Sequence, residues 1–566
     1  MSGSALRLDY HTIITKYRDH DIIIAIIQVK RGDRVKERPC LPLLRILACM
    51  ACILFSLSLT VSAATLVYVP LDDRPVCLRD PVETLQAAGM KIVTPPRFLL
   101  SGRDRAGDPD GLWQWLQEAA KGADAAVVSA DALLYGGLVS SRTHLIPDRL
   151  LQQRVENFQQ LRRQNPRLRL YGFSTVMRSP QGSAGGTDPA YIETRGWQIY
   201  RYGALLDRQE QLGLSGKEEQ EMEELIQLLP AEILTDWNGR RAKNHRLNLM
   251  LLQRTREGLF DYFILGRDDN GPYSQTQREL RHLRREAADL SSRVFATFSG
   301  ADQLGMVLLT RAVNRLTFQV PLIAVQYAEG SGEQTIPSYQ GEPVGVSALD
   351  HIVAAGGLPV RDPARANLVL LINTPPNGRT PEAGAGGNIV RPTVALRQFV
   401  AMVEQQINLG KRVAIADVAF ANGSDNSLMQ LLAQRDLLNR IHAYSGWNTA
   451  SNSLGFALSQ GILSARMSGQ DKDKLLTVRL LDDWAYQANV RSLMLREVLA
   501  PFPQSAVSLG ILKPAVEART TAELKKFAAD RFGSFPLRLF QASHPWNRMF
   551  EVRIDVFNAY PLHPWD

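Results

Sequence analysis

The sharpest chemical feature of this sequence is the polar run Arg267-Asp268-Asp269-Asn270, which follows the apolar stretch Tyr262–Leu265 and precedes Gly271-Pro272. Consecutive residues of a strand point to opposite faces, so two adjacent carboxylates converge only where the chain leaves strand geometry. Gly271-Pro272 predicts that departure. Two nearby carboxylates resist joint ionisation; one pKa rises and an acid/base pair becomes available. Asp268 and Asp269 are therefore the candidate catalytic residues.

Other polar residues stand at the ends of apolar stretches in the same way. VPLDDRPV carries Asp72, Asp73 and Arg74, and ADALLYGGLVSSR carries Asp131, Tyr135 and Arg142. Arg178 follows the next stretch, and Asp302 lies in FSGADQLG. Asp417, Asn422 and Asp425 lie in ADVAFANGSD, then Trp447, Asn448 and Asn452 in GWNTASN. In parallel α/β folds ligands bind in loops at the carboxyl ends of strands. Candidate substrate contacts are accordingly Asp72, Asp73, Arg74, Asp131, Tyr135 and Arg178, with Asn270, Asp417, Asn422, Trp447 and Asn448. Plainer roles compete. Asp80, Asp110, Asp302 and Asp425 read as helix N-caps, Asp72-Asp73-Arg74 as an ion pair tying down a strand end, and Gly136-Gly137 as a positive-φ turn. Asn448 and Asn452 read equally as amides that satisfy buried backbone.

Familiar nucleophile and cofactor signatures are missing. The sequence has no G-x-S-x-G, no H-E-x-x-H, no Walker A and no Rossmann glycine fingerprint. Its histidines are scattered. No cofactor and no zinc site is expected; an oxygen-ligated Mg²⁺ or Ca²⁺ on the aspartates stays open.

The elements that must position these residues alternate in type. Strands are expected at Thr65–Leu71, Lys91–Thr94, Ala125–Ser129, Leu168–Thr175, Tyr262–Leu265 and Val294–Thr297. Others follow at Leu322–Gln326, Leu368–Ile372 and Val413–Ala416, with amphipathic helices between them. Such βα repeats predict parallel sheet, either barrel-like or doubly wound. A helical insertion is expected over 191–258. The expected division is an α/β domain at 65–318, a second α/β segment at 319–445 and a mainly helical part at 446–566.

Residues 1–64 read as an N-terminal extension and secretory signal. Ile46–Ala64 is an apolar run behind a basic flank and ends in small residues, which predicts cleavage near Ala63 or Ala64 and export. That segment holds nine Lys/Arg and five Asp/Glu, so it carries half of the formal charge of +8. It also holds three of the four cysteines, leaving only Cys77 and no internal disulfide. With no basic run interleaved with aromatics, nucleic acid is not an expected partner. A membrane is expected only through the signal segment; the partner expected is a small molecule or glycan, and the oligomeric state stays open.

The motifs VPLDDRPV, ADALLYGGLVSSR, GRDDNGPYS, GADQLG, DVAFANGSD and GWNTASNSLG, with DDWAYQANVR and HPWNRMFE, resemble those of a bacterial family known as domain of unknown function 4127. The resemblance runs nearly the full length after the signal and implies no activity. Gln303 stands in GADQLG where the family pattern leads one to expect an acid. More loosely, the adjacent Asp pair is similar to the acid pairs of barrel hexosaminidases that use substrate assistance. The leading expectation is an exported carbohydrate-active hydrolase that cleaves a glycosidic bond with Asp268 and Asp269, with amino sugars as one substrate class. Alternatives are a metal-dependent hydrolase with Asp72, Asp268, Asp417 and Asn422 as ligands, and a non-catalytic protein that closes two lobes on a solute or glycan.

Overall fold

The computed structural model describes residues 64–182 and 186–557, together with the backbone of 9–14 and 25–30. The last two segments are an antiparallel strand pair, β1 (Asp9–Ile14) and β2 (Ala25–Lys30). The signal-like run lies outside the described residues except for Ala64.

From Ala64 onward the described residues form one compact unit built on two parallel sheets. The first contains β3 (Thr65–Val69), β4 (Lys91–Val93), β5 (Ala125–Ser129), β6 (Arg169–Val176), β7 (Tyr262–Arg267) and β8 (Phe295–Ser299), in the order β4-β3-β5-β6-β7-β8. The second contains β9 (Leu322–Tyr327), β10 (Leu358–Val360), β11 (Leu368–Asn373), β12 (Arg412–Asp417) and β13 (Ala443–Ser445), in the order β10-β9-β11-β12-β13. Both sheets are open and doubly wound, which decides against a barrel. In each, the second strand lies outside the first and the third lies on its other side. Strand order therefore reverses between β3 and β5 and again between β9 and β11.

Strands buried on both faces explain the near-continuous apolar runs of the sequence. Along β5, Ala125 and Val127 face one core while Ala126 and Val128 face another, the two-residue alternation of a strand. The sheets share the first of these cores: Leu66 and Val127 of one sheet pack in the same cluster as Leu370 and Ala414 of the other. Between the sheets lie the helices Leu304–Leu316 and Ala450–Leu463, packed against each other. All fourteen residues of Ala450–Leu463 are buried, as expected of a helix packed against β11, β12 and β13 and against neighbouring helices. At Gly461 a Cβ would come within 2.8 Å of the Ala414 methyl, so glycine permits the close approach to β12.

The insertion consists of the helices Ile192–Leu212, Gly216–Leu228 and Ala231–Arg256. The C-terminal part is mainly helical and includes a π-helical stretch, Leu480–Val490, and an antiparallel hairpin, β14 (Phe540–Ser543) with β15 (Arg553–Val556). Sequence periodicity did not reveal β10, β13 or this hairpin. With three or four residues each, these strands are too short to show a period.

Candidate active site

β7 ends at Arg267, and the chain then leaves strand geometry. Asn270 fixes the departure: its Nδ2 donates to the Asp268 carbonyl at 2.9 Å, its Oδ1 accepts from Gln277 at 2.8 Å, and its backbone N–H donates to the Tyr339 carbonyl at 3.2 Å. Asp268 and Asp269 consequently both line one cavity of about 520 Å³. Asp268 is buried and ion-paired with Arg142, and its Oδ1 accepts the Asp269 N–H at 2.9 Å. The Asp269 side chain is 39% exposed into the cavity. Desolvation first, then the neighbouring Asp268 charge, push its carboxyl up to about 6, against the opposing pull of Arg178 and Arg142.

The loops that follow β3, β5, β6 and β8 add to the wall. Arg74 follows β3 and is shared between two buried acids, with Nη2 2.7 Å from Asp72 and 2.6 Å from Asp302. Asp302 follows β8; burial raises its pKa despite Arg74, helped by the Asp72 charge. Arg178, after β6, pairs with Asp188. The C-terminal segment completes this side: Arg74 and Arg548 each lie 5.1 Å from the ring centre of Trp546, whose indole N–H donates to Asp73 at 2.7 Å.

The second sheet supplies amides and a phenol. Asn422 follows β12 and Asn448 follows β13; both have φ of 57°, and the Asn422 N–H donates to the Asn448 carbonyl at 2.8 Å. The carboxylate of Glu382 accepts from Asn422 Nδ2 at 2.8 Å and from the Tyr339 hydroxyl at 2.7 Å. Tyr339 also lies at positive φ, 65°. Three non-glycine residues in this costly region line one cavity, a concentration of backbone strain typical of functional sites.

Of the candidate catalytic and substrate-contact residues chosen from the sequence, Arg74, Arg178, Asp268, Asp269, Asn270, Asn422 and Asn448 line the cavity. The others are placed differently. Asp72 anchors Arg74 and Asp73 anchors Trp546, so both support the wall without forming it. Asp131 is fully buried, accepting from Thr175 at 3.0 Å, and burial pushes its carboxyl up to about 7. Tyr135 is buried against His144. Asp417 holds the end of the second sheet together, accepting from Asn373 and Tyr444 at 2.9 Å. Trp447 is core, edge-on to Phe550. The aromatic faces of the cavity are Tyr339, Trp546 and Phe550 instead.

Other readings need correction too. Asp302 is not a cap: the following helix starts after Gln303, without a side-chain cap, and Asp302 is engaged by Arg74. Asp80 does not cap either; it pairs with Arg79 and Arg479. Asp425 does cap its helix through the Ser427 N–H at 2.8 Å. Gln303, in the place of the expected acid, is fully buried and donates to the Ser299 carbonyl at 3.0 Å, a setting suited to a neutral amide. Arg142, Tyr339, Trp546 and Arg548 line the cavity without having been chosen. Arg142 stood in a conspicuous motif, as did Trp546 and Arg548, but no local pattern tied either motif to Asp268 or Arg74.

The metal-ligand set suggested by the sequence does not assemble. Asp72 and Asp268 each have a guanidinium partner, and Asp417 lies outside the cavity. Among the described residues no group of three or more His, Cys, Asp or Glu is arranged to hold a metal ion.

Fold and site together define a doubly wound α/β protein with a polar cavity where the carboxyl ends of two sheets meet, walled by paired arginines and by one aspartate with a raised pKa. The chain belongs to the DUF4127 family, described as proteins of unknown function, whose model matches residues 66–555. Neither the curated proteins nor the solved structures contain a match to it.

Proposed function

We propose that this protein is a hydrolase that cleaves a glycosidic bond, with Asp269 as the proton donor. The observation that carries the reading is the Asp269 carboxyl, raised to about 6 and facing a cavity lined by amides, guanidiniums and aromatic rings. Amides and charged groups suit sugar hydroxyls, and the exposed ring of Tyr339 suits a pyranose face. In the proposed step the Asp269 O–H gives its proton to the glycosidic oxygen as the bond to the anomeric carbon breaks. Water adds to that carbon, and its proton returns to Asp269. Asp268 has one oxygen on Arg142 and the other on the Asp269 N–H, so both are occupied. Its role is therefore electrostatic: to hold up the Asp269 pKa and face the positive charge developing on the sugar.

The open sheets confine the likeness to barrel hexosaminidases to the Asp-Asp dipeptide, so support for amino sugars rests on analogy. Chromogenic N-acetylglucosaminides and plain glucosides are the first substrates to compare. Asp269→Asn is expected to lower kcat by roughly 10²–10⁴-fold while the protein stays folded; full retained turnover would sink the assignment. Exhaustive chelation is expected to leave turnover unchanged, and its loss would restore the metal-dependent reading. Closure of two lobes on a solute needs a hinge, whereas these sheets share one apolar core.

Export belongs to the same proposal and rests on Ile46–Ala64. Among the described residues no helix is long and apolar enough to cross a membrane. N-terminal sequencing of the protein from its native host is expected to start at Ala64 or Thr65; an intact N-terminus would overturn export by cleavage.

A further inference from the structure

A second cavity, of about 500 Å³, opens at the carboxyl edge of the second sheet, and the proposed reaction does not use it. Topology sets its place. Strand order in that sheet reverses between β9 and β11, the kind of switch point at which doubly wound proteins hold ligands. The wall is formed by Ala328 and Glu329 after β9, Asn373 and Thr374 at the end of β11, and Ala419 and Phe420 after β12. Its volume lies within the range of small-molecule sites.

Two features define what it would take. Phe420, Ile389, Leu396, Pro375 and Pro376 give it a largely apolar body. Arg379 and Arg391 also line it. In the first cavity every arginine has a carboxylate partner: Arg74, Arg142, Arg178, Arg267 and Arg548 pair with Asp302, Asp268, Asp188, Glu342 and Glu551. Among the described residues the guanidiniums of Arg379 and Arg391 have neither an ion pair nor a hydrogen bond. Their backbones are nonetheless pinned, Arg379 N–H donating to Asn377 Oδ1 at 3.1 Å and Arg391 N–H to Ser427 Oγ at 2.9 Å. The acids of the wall do not neutralise them. Asp425 is engaged by Asn373 at 3.2 Å and by the Ser427 N–H, and Glu329 forms an ion pair with neither arginine.

A guanidinium presents a planar fork of donors matched to a carboxylate or phosphate. We propose that this second cavity binds a small organic oxyanion, a phosphate ester or carboxylate on an apolar or aromatic body, with Arg379 and Arg391 on the anionic group. The proposal does not depend on the glycosidase reading.

Calorimetric titration of the full chain with 1-naphthyl phosphate, 1-naphthoate and inorganic phosphate tests it. At least one naphthyl ligand is expected to bind saturably, with inorganic phosphate tenfold weaker or more; the stronger of the two identifies the anionic group. Arg379→Ala and Arg391→Ala are each expected to weaken binding roughly tenfold or more. Both residues are exposed, and an unchanged melting temperature confirms that the variants fold. Asp269→Asn, which removes a negative charge from the first cavity, is expected to leave the affinity unchanged. The proposal is overturned if neither naphthyl ligand binds, if inorganic phosphate binds as well as they do, or if the two arginine variants bind normally. It is equally overturned if Asp269→Asn changes the affinity, since the ligand then sits in the first cavity.

Discussion

Nη1 of Arg178 lies 3.5 Å from Oδ2 of Asp269, near enough to attract the carboxylate but too far for a hydrogen bond. The same guanidinium gives its Nε–H to Asp188 at 3.0 Å. Its charge is largely spent on Asp188, so the attraction to Asp269 is weaker than the combined effect of desolvation and the Asp268 charge. The Asp269 pKa rises to about 6 instead of falling.

A pH profile follows. A proton donor must be protonated, so turnover is expected to decline as pH rises through about 6, tenfold per unit well above it. Asp188→Asn frees Arg178 to face Asp269, which favours the carboxylate and shifts the alkaline limb to lower pH. An alkaline limb that stays in place in this variant would show that Asp269 does not set it.

Asp268 and Arg142 form a buried ion pair. Asp268→Asn leaves the guanidinium with only the more distant Asp188, 3.8 Å away, and a loss on the order of 3 kcal/mol in urea unfolding is expected. Asp269→Asn, on the exposed side, is expected to change stability by less than about 1 kcal/mol. Equal stability losses in the two variants would contradict this division of roles.

Arg74 separates two buried carboxylates, Asp72 and Asp302. Arg74→Met leaves them facing each other without a cation and is expected to cost about 3–5 kcal/mol. Restoring charge balance by adding Asp302→Asn is expected to recover part of that loss. A double variant no more stable than Arg74→Met would show that the carboxylates do not repel through this gap.

Asp131 makes stability depend on pH. Its folded pKa of about 7 lies above the ordinary value of 3.8, so between those limits the native state binds a proton that the unfolded chain releases. Its stabilising contribution is full below about pH 4 and is lost as pH rises towards 7. Asp131→Asn is expected to flatten the decline in melting temperature across that window; an unchanged slope would exclude Asp131 as its source.

Much of this protein was legible in its residues. Alternating apolar runs and amphipathic segments indicated parallel α/β architecture, because strands buried on both faces must be apolar almost throughout. Glu-, Gln- and Leu-rich 191–258 read as helical and is helical. Asp268-Asp269 with Gly271-Pro272 announced a strand end at which two acids meet one space, and they do. These are local properties, set by the side-chain period and by backbone preference within a few residues.

Partnership was not local, and only the tertiary structure decided it. Asp302 reads as a cap until Arg74, 228 residues away, takes it. Trp546 stands in HPWNRMFE with no local link to the site until its indole meets Asp73, 473 residues distant. Asp131 and Asp417 resemble the site aspartates in sequence, yet one is enclosed by Ser174 and Thr175 and the other ties β12 to its neighbours. A carboxylate's chemistry depends on the charges and the solvent around it. The sequence therefore determined where acids stand along the chain, while the packing of two sheets around one core determined which of them carries a raised pKa into an open cavity.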